Sequence, residues 1–160
     1  MKKAAFIVTI LFLTFLVSCA PKVSPLAYQS GIESASCVLA FEEGTYGVII
    51  YPAEKKLSVT SPERIAGTVL AVSGEKYTLT AGETVSGLDP SFIPLIAPVL
   101  DSFSLSDETA KIMASDGSGR TVKVKTGGGE YEIKISADGT PAEIKYTGER
   151  DFTMTGIEIK

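Results

Sequence analysis

Two thiols and no imidazole set the chemistry open to this chain: Cys19 and Cys37 are its cysteines, and it has no histidine. Histidine is the usual general base near neutral pH and the commonest metal ligand, so its absence lowers both expectations together. Cys19 follows Leu16-Val17-Ser18, at the end of a nearly all-apolar run from Ala4 to Val17 that itself follows Lys2-Lys3. A cationic start, a short apolar run and small residues at a processing point are the parts of an export signal. The run falls about half a dozen residues short of the roughly 20 that a bilayer span needs, so it predicts a removable segment. An ordinary export signal ends in an Ala-x-Ala-like site. Here a cysteine stands at that point, and its thiol is the group that acylation would use.

The second thiol sits inside Ala35-Ser36-Cys37-Val38-Leu39-Ala40-Phe41. With Cys19 committed to lipid it has no partner for an internal disulfide, and its apolar setting predicts a small buried side chain. Gly127-Gly128-Gly129 lacks the Lys-Ser/Thr ending of a phosphate loop and reads as a flexible turn. The serines between Ser102 and Ser106 have no histidine to activate them, and no nucleophile elbow occurs anywhere. Asp101, Asp107 and Glu108 lack the spacing of a Ca²⁺ loop, and capping and solubility explain them more simply. No catalytic residue, no metal and no cofactor are predicted, and the chain is read as a non-enzyme.

Removing residues 1–18 from the 160 leaves 142, enough for one domain with a real core. Lys2 and Lys3 leave with the signal and no acid does, so the net charge of −4 becomes −6. That balance argues against nucleic acid, whose binding demands clustered Lys and Arg. Residues 19–31 contain Pro21, Ser24, Pro25, Gln29, Ser30 and Gly31 and read as a tether between a lipidated end and a β-rich domain over 32–160.

Within that domain short strands alternate with turn chemistry. Ser34 to Phe41, Tyr46 to Tyr51, Leu57 to Thr60, Thr68 to Val72 and Lys76 to Thr80 are the first five candidates. Asp89-Pro90-Ser91 then opens a helical segment, with Asp89 as cap and Pro90 at the first position. Pro94 and Pro98 each remove an amide donor, so residues 92–103 predict one or two short helical pieces. Residues 92, 96, 99, 100 and 103 share a side at helical spacing, which lays the segment across the sheet. The C-terminal part alternates cleanly: Val122 and Val124, Tyr131, Ile133 and Ile135, and Ala142, Ile144 and Tyr146 point one way, with Lys and Glu between them. In the last strand Phe152 and Met154 have one parity and Ile157 and Ile159 the other, so a bulge at Gly156 is expected. The fold class is mainly β (α+β): a single antiparallel, strongly curved sheet or half-barrel covered by one or two short helices.

Leu16-Val17-Ser18-Cys19 resembles the bacterial lipobox. The resemblance implies cleavage before Cys19, a diacylglyceryl group on its thiol, palmitate among the acyl chains, and a membrane as partner. It implies a location in the bacterial cell envelope, lipid-anchored on the extracytoplasmic side. In a Gram-negative cell, the lack of Asp after Cys19 resembles lipoproteins that move on to the outer membrane. The order of elements, with Ser61-Pro62-Glu63-Arg64 before a hairpin and Gly139-Thr140-Pro141-Ala142-Glu143-Ile144 in the closing meander, is similar to the LolA/LolB-like lipoprotein-carrier superfamily. In that superfamily a curved half-barrel under helices encloses an apolar cavity for acyl chains. Two functions stay open. In one, a lipid or other apolar ligand lies between sheet and cover, against Phe92, Ile96, Leu100 and Phe103. In the other, the domain is a structural or protein-interaction module with a filled core and an envelope protein as partner.

Overall fold

The computed structural model describes residues 24–73 and 76–160, so the export signal and Cys19 lie outside the described residues. Eleven strands form one antiparallel sheet: β1 Ala35–Phe41, β2 Gly44–Tyr51, β3 Lys56–Ser61, β4 Val69–Ser73, β5 Lys76–Ala81, β6 Thr84–Gly87, β7 Ala110–Asp116, β8 Gly119–Lys125, β9 Gly129–Ser136, β10 Pro141–Gly148 and β11 Phe152–Ile159. Across the sheet they run β6-β5-β4-β3-β2-β1-β11-β10-β9-β8-β7. Two meanders thus meet where the first strand pairs with the last, and the curved sheet stays open, with β6 and β7 as its edges. Six strands, not five, precede the helical segment, and β7 follows it; neither β6 nor β7 was expected.

This topology dictates where the cover goes. β6 and β7 are consecutive in the chain but lie at opposite edges, so the connection between them has to cross the sheet. It carries the helix α1, Ile93–Asp101. At about 4.8 Å per strand spacing the sheet is roughly 48 Å wide, whereas nine helical residues span only about 13.5 Å. α1 therefore covers less than a third of the width, and other segments must cover the rest.

One of them is the stretch read as tether. Leu26 is buried, and Ile32 packs with it into the core. The Leu26 amide donates to Asp107 Oδ1 at 3.1 Å, the Ser24 hydroxyl donates to the same carboxylate, and an Arg120 guanidinium N–H donates to the Pro25 carbonyl at 3.2 Å. Tyr28 meets Phe103 edge to face with ring centroids 6.5 Å apart. Leu26 and Tyr28, within the stretch 19–31 expected as a tether, thus pack against the core. Proline, serine and glycine content marks irregular backbone but does not say whether that backbone is docked.

The strands obey their alternation except at the start of β10, where the register shifts between Pro141 and Glu143 and Pro141, not the expected Ala142, is buried. Ala35, Cys37 and Leu39 of β1, Val48 and Ile50 of β2, Ile133 and Ile135 of β9 and Ile144 of β10 all face the core. Cys37 is a free, buried thiol whose pKa is pushed up to about 12 by burial, so it serves as the small apolar residue expected. The bulge in β11 is also present: Ser36 pairs with Glu158 and Val38 with Thr155, and Gly156 takes a φ of +59°. Such a left-handed residue favours glycine. On either side of it Phe152 and Met154, then Ile157 and Ile159, reach the same core.

Gly127-Gly128-Gly129 turns β8 into β9, but the need for glycine there is steric. The Tyr146 hydroxyl donates to the Gly128 carbonyl at 2.7 Å, and a Cβ on Gly129 would stand 2.3 Å from the Thr147 carbonyl oxygen and 2.7 Å from the Tyr146 hydroxyl. The expected turn is present with an exposed tip at Gly127, and the tyrosine hydroxyl packs against its Gly128 and Gly129 side.

Candidate ligand site between sheet and helix

Asp89 opens the crossing segment as expected: its Oδ1 accepts from the Ser91 amide at 2.9 Å and the Ser91 hydroxyl at 2.7 Å, and these bonds hold its carboxyl below the usual range. The capped unit is a 3-10 turn, Pro90–Phe92, followed by the continuous α1. Pro94 falls in the first helical turn, where a missing N–H costs nothing, so only Pro98 interrupts the hydrogen bonding. That is why the helix runs through both prolines.

The Pro98 carbonyl is held from two directions. The Tyr131 hydroxyl donates to it at 2.8 Å from the sheet, and the fully buried Ser102 hydroxyl donates at 2.9 Å from the following turn. Burial raises the Tyr131 hydroxyl far above its ordinary pKa, with Asp101 adding to the shift, so it stays a donor. Through this bond the helix is fixed to β9.

On its other side α1 makes apolar contacts around a cavity of about 200 Å³ lined by Leu95, Ile96 and Val99 of the helix, Leu39 and Phe41 of β1, Tyr46 and Val48 of β2, Leu57 and Val59 of β3, Ile65, and Leu70 of β4. Among the described residues no charged side chain lines it. A second cleft of about 310 Å³ lies beside Pro94, Ala97, Pro98 and Asp101, against Thr126, Gly127, Gly128, Tyr131, Tyr146 and Glu149. Burial raises the Asp101 carboxyl pKa there, against the opposing pull of Lys55. The described residues hold no group of three or more His, Cys, Asp or Glu placed to bind a metal ion.

The four residues read as ligand contacts part company. Ile96 lines the apolar cavity. Leu100 and Phe103 are buried in the packed core, Phe103 against Tyr28. Phe92 is 50 % exposed. It belongs to the 3-10 turn, whose residues advance by about 120° each and so leave the phase of the α-helix that follows. The sheet contribution from β1 to β4 was missed as a site, although the alternation of Leu39, Val48, Leu57 and Leu70 already placed these side chains on one face.

No protein-family model matches the chain, and no curated protein sequence does. Among solved structures, it is similar to an uncharacterized conserved protein from Thermus thermophilus, at 11% identity and a TM-score of 0.42 over 84% of this chain and 83% of that one. It is also similar to the lipoprotein LppX of Mycobacterium tuberculosis, at 10% identity and a TM-score of 0.42 over 88% and 94% of the two chains. A LolA superfamily protein from Nitrosomonas europaea is similar at 8% identity and a TM-score of 0.40 over 73% of this chain and 64% of that one. At such scores none of these likenesses bears on ligand or partner.

Proposed function

We propose that this is an exported lipoprotein of the bacterial cell envelope, anchored through acylated Cys19, whose domain holds an apolar ligand between β1–β4 and α1. The observation that carries the ligand reading is the cavity of about 200 Å³, in whose lining no charged side chain stands among the described residues. Such a wall has little to offer a polar solute. Burying apolar surface there is favourable by roughly 25 cal/mol per Å². The volume is below the roughly 300–1,000 Å³ of sites that enclose a drug-sized molecule, so it suits one end of an acyl chain or a compact apolar group. A larger guest requires α1 to shift, and the cavity side of the helix is held by apolar contacts alone.

Organic extraction of the purified full chain tests this. An apolar molecule should be recovered, distinct from the covalent anchor, and Val59→Trp should reduce its yield several-fold by filling the cavity. An extract without any such molecule from the parent chain would end the ligand reading. The anchor is tested separately by feeding cells a palmitate analogue: label should enter the parent and be lost in Cys19→Ala. An interaction module is the alternative, favoured by the part of the sheet that is packed solid; crosslinking to a defined envelope protein, with nothing extractable, would select it.

A further inference from the structure

The free edge of β7 carries an arrangement that neither face of the sheet can use. Ile112 pairs opposite the core-facing Val122 and therefore points to the concave side, yet it is 52 % exposed. Met113, its neighbour, is 59 % exposed and lines a cleft of about 510 Å³ with Lys111, Lys123 and Lys125 on the convex side. Successive strand residues point to opposite faces, so a ligand on either face meets one of the two. Only a surface approaching in the plane of the sheet, against its edge, meets both.

An added β-strand would also approach edge-on, but the register shifts between Ile112 and Ala114, which leaves Met113 as a bulge in the middle of β7. Bulges disrupt the ladder that an added strand must extend. A lipid surface needs no ladder. The chain itself points the same way: Asp107, two residues before the Thr109 that borders the cleft, holds Ser24 and Leu26. From Cys19 to Ser24 are five residues, a reach of at most about 17 Å. Lys111 has no acidic partner among the described residues, Lys125 is 81 % exposed and reaches Glu130, which also lines the cleft, only at 3.9 Å, and Glu130 and Glu132 are engaged more closely by Lys123.

We propose that the free edge of β7 is the membrane-facing edge of the anchored protein, with Ile112 and Met113 entering the headgroup–acyl boundary of an anionic bilayer and Lys111 and Lys125 meeting its headgroups. This rests on the reading of Cys19 as the anchor. The chain has no tryptophan, so a single introduced one reports alone. The full lipidated chain carrying Met113→Trp, or Ile112→Trp as a second reporter, is placed in vesicles of phosphatidylcholine and phosphatidylglycerol with brominated acyl chains. Val85→Trp, on the opposite edge, is the comparison. Both β7 reporters should shift to the blue and lose most of their emission, while Val85→Trp keeps its own. Equal quenching in vesicles of phosphatidylcholine alone overturns the anionic contact. Unquenched β7 reporters on vesicle-bound, acyl-labelled protein overturn the edge and leave the anchor standing. Loss of the acyl label itself removes the anchor, and the edge proposal with it.

Discussion

Beneath β8–β11, Val122, Val124, Ile133, Ile144 and Met154 are wholly excluded from solvent, whereas under β3–β5 Val59, Val72, Tyr77 and Leu79 are only partly covered. Both ends of the sheet present apolar side chains on the inner face, Leu57 and Val59, Leu70 and Val72, and Tyr77 and Leu79 at the first, so the strands do not account for the contrast. The fillers do. The docked segment around Leu26 and Tyr28, together with Ser102 and Phe103, gathers beside Asp107 and Arg120 at the β7–β8 side, and the Tyr131 bond draws α1 toward β9. The β1–β4 side receives Leu95, Ile96 and Val99 from α1 and Ile65 from the β3–β4 connection, and a cavity remains. A curved open sheet thus acquires a structural end and a receptive end from where its two covering segments land.

The contrast can be broken most sharply by cavity-making substitutions. Ile144→Ala should lower unfolding free energy by roughly 2–5 kcal/mol, because its close-packed surroundings cannot collapse onto the gap. Val59→Ala, beside an existing cavity, should cost less than about 1 kcal/mol. Denaturant midpoints with unchanged slopes measure both, and equal losses would mean that the two ends are packed alike. Next in size is Leu26→Ala, expected to cost about 2–4 kcal/mol because a docked segment supplies the core. Phe92→Ala should change stability by no more than about 0.5 kcal/mol. A Leu26 variant as stable as the parent would leave residues 24–31 in the role of a loose tether.

The strand faces were legible because period-two alternation reports burial directly, as in Tyr131, Ile133 and Ile135, and even the parity break at Gly156 could be read as a bulge. β6 and β7 were not, since an edge strand exposes both faces and Thr84–Gly87 and Ala110–Asp116 carry no alternation to detect. The cover was foreseen from Asp89 and the apolar run, but its phase was lost at Phe92, where a 3-10 turn precedes the helix. Leu26 was hidden because one leucine among proline and serine gives no periodic signal. A ligand between sheet and cover was open from the resemblance, with Ile96 among its contacts, but the place of the cavity over β1–β4 was not legible. It depends on how much filler reaches each part of the sheet, which is a property of the topology linking β6 to β7.

The smallest effect concerns the convex side, where charge follows the same division. Behind the packed end Lys123 reaches Glu130 at 2.8 Å and Glu132 at 3.5 Å, and Glu143 takes Lys134 at 2.9 Å and Lys145 at 3.5 Å. Behind the receptive end the charges stand at strand ends, Lys56 opposite Ala71 and Lys76 opposite Ser73, while Ser58, Val69, Thr78 and Thr80 between them are uncharged. The hydrogen bond from Lys134, with the nearby charge of Lys145, holds the Glu143 carboxyl below its ordinary 4.5. A depressed carboxylate pKa stabilises the folded state above the unfolded value, and that contribution disappears as pH falls through the folded one. Glu143→Gln should therefore cost less than about 1 kcal/mol at pH 7, and the gap should close as pH drops below about 4.5. The Ile144→Ala deficit has no such dependence. A Glu143→Gln gap that persisted in acid would assign the side chain to packing by its methylene stem and remove charge from what distinguishes the two ends.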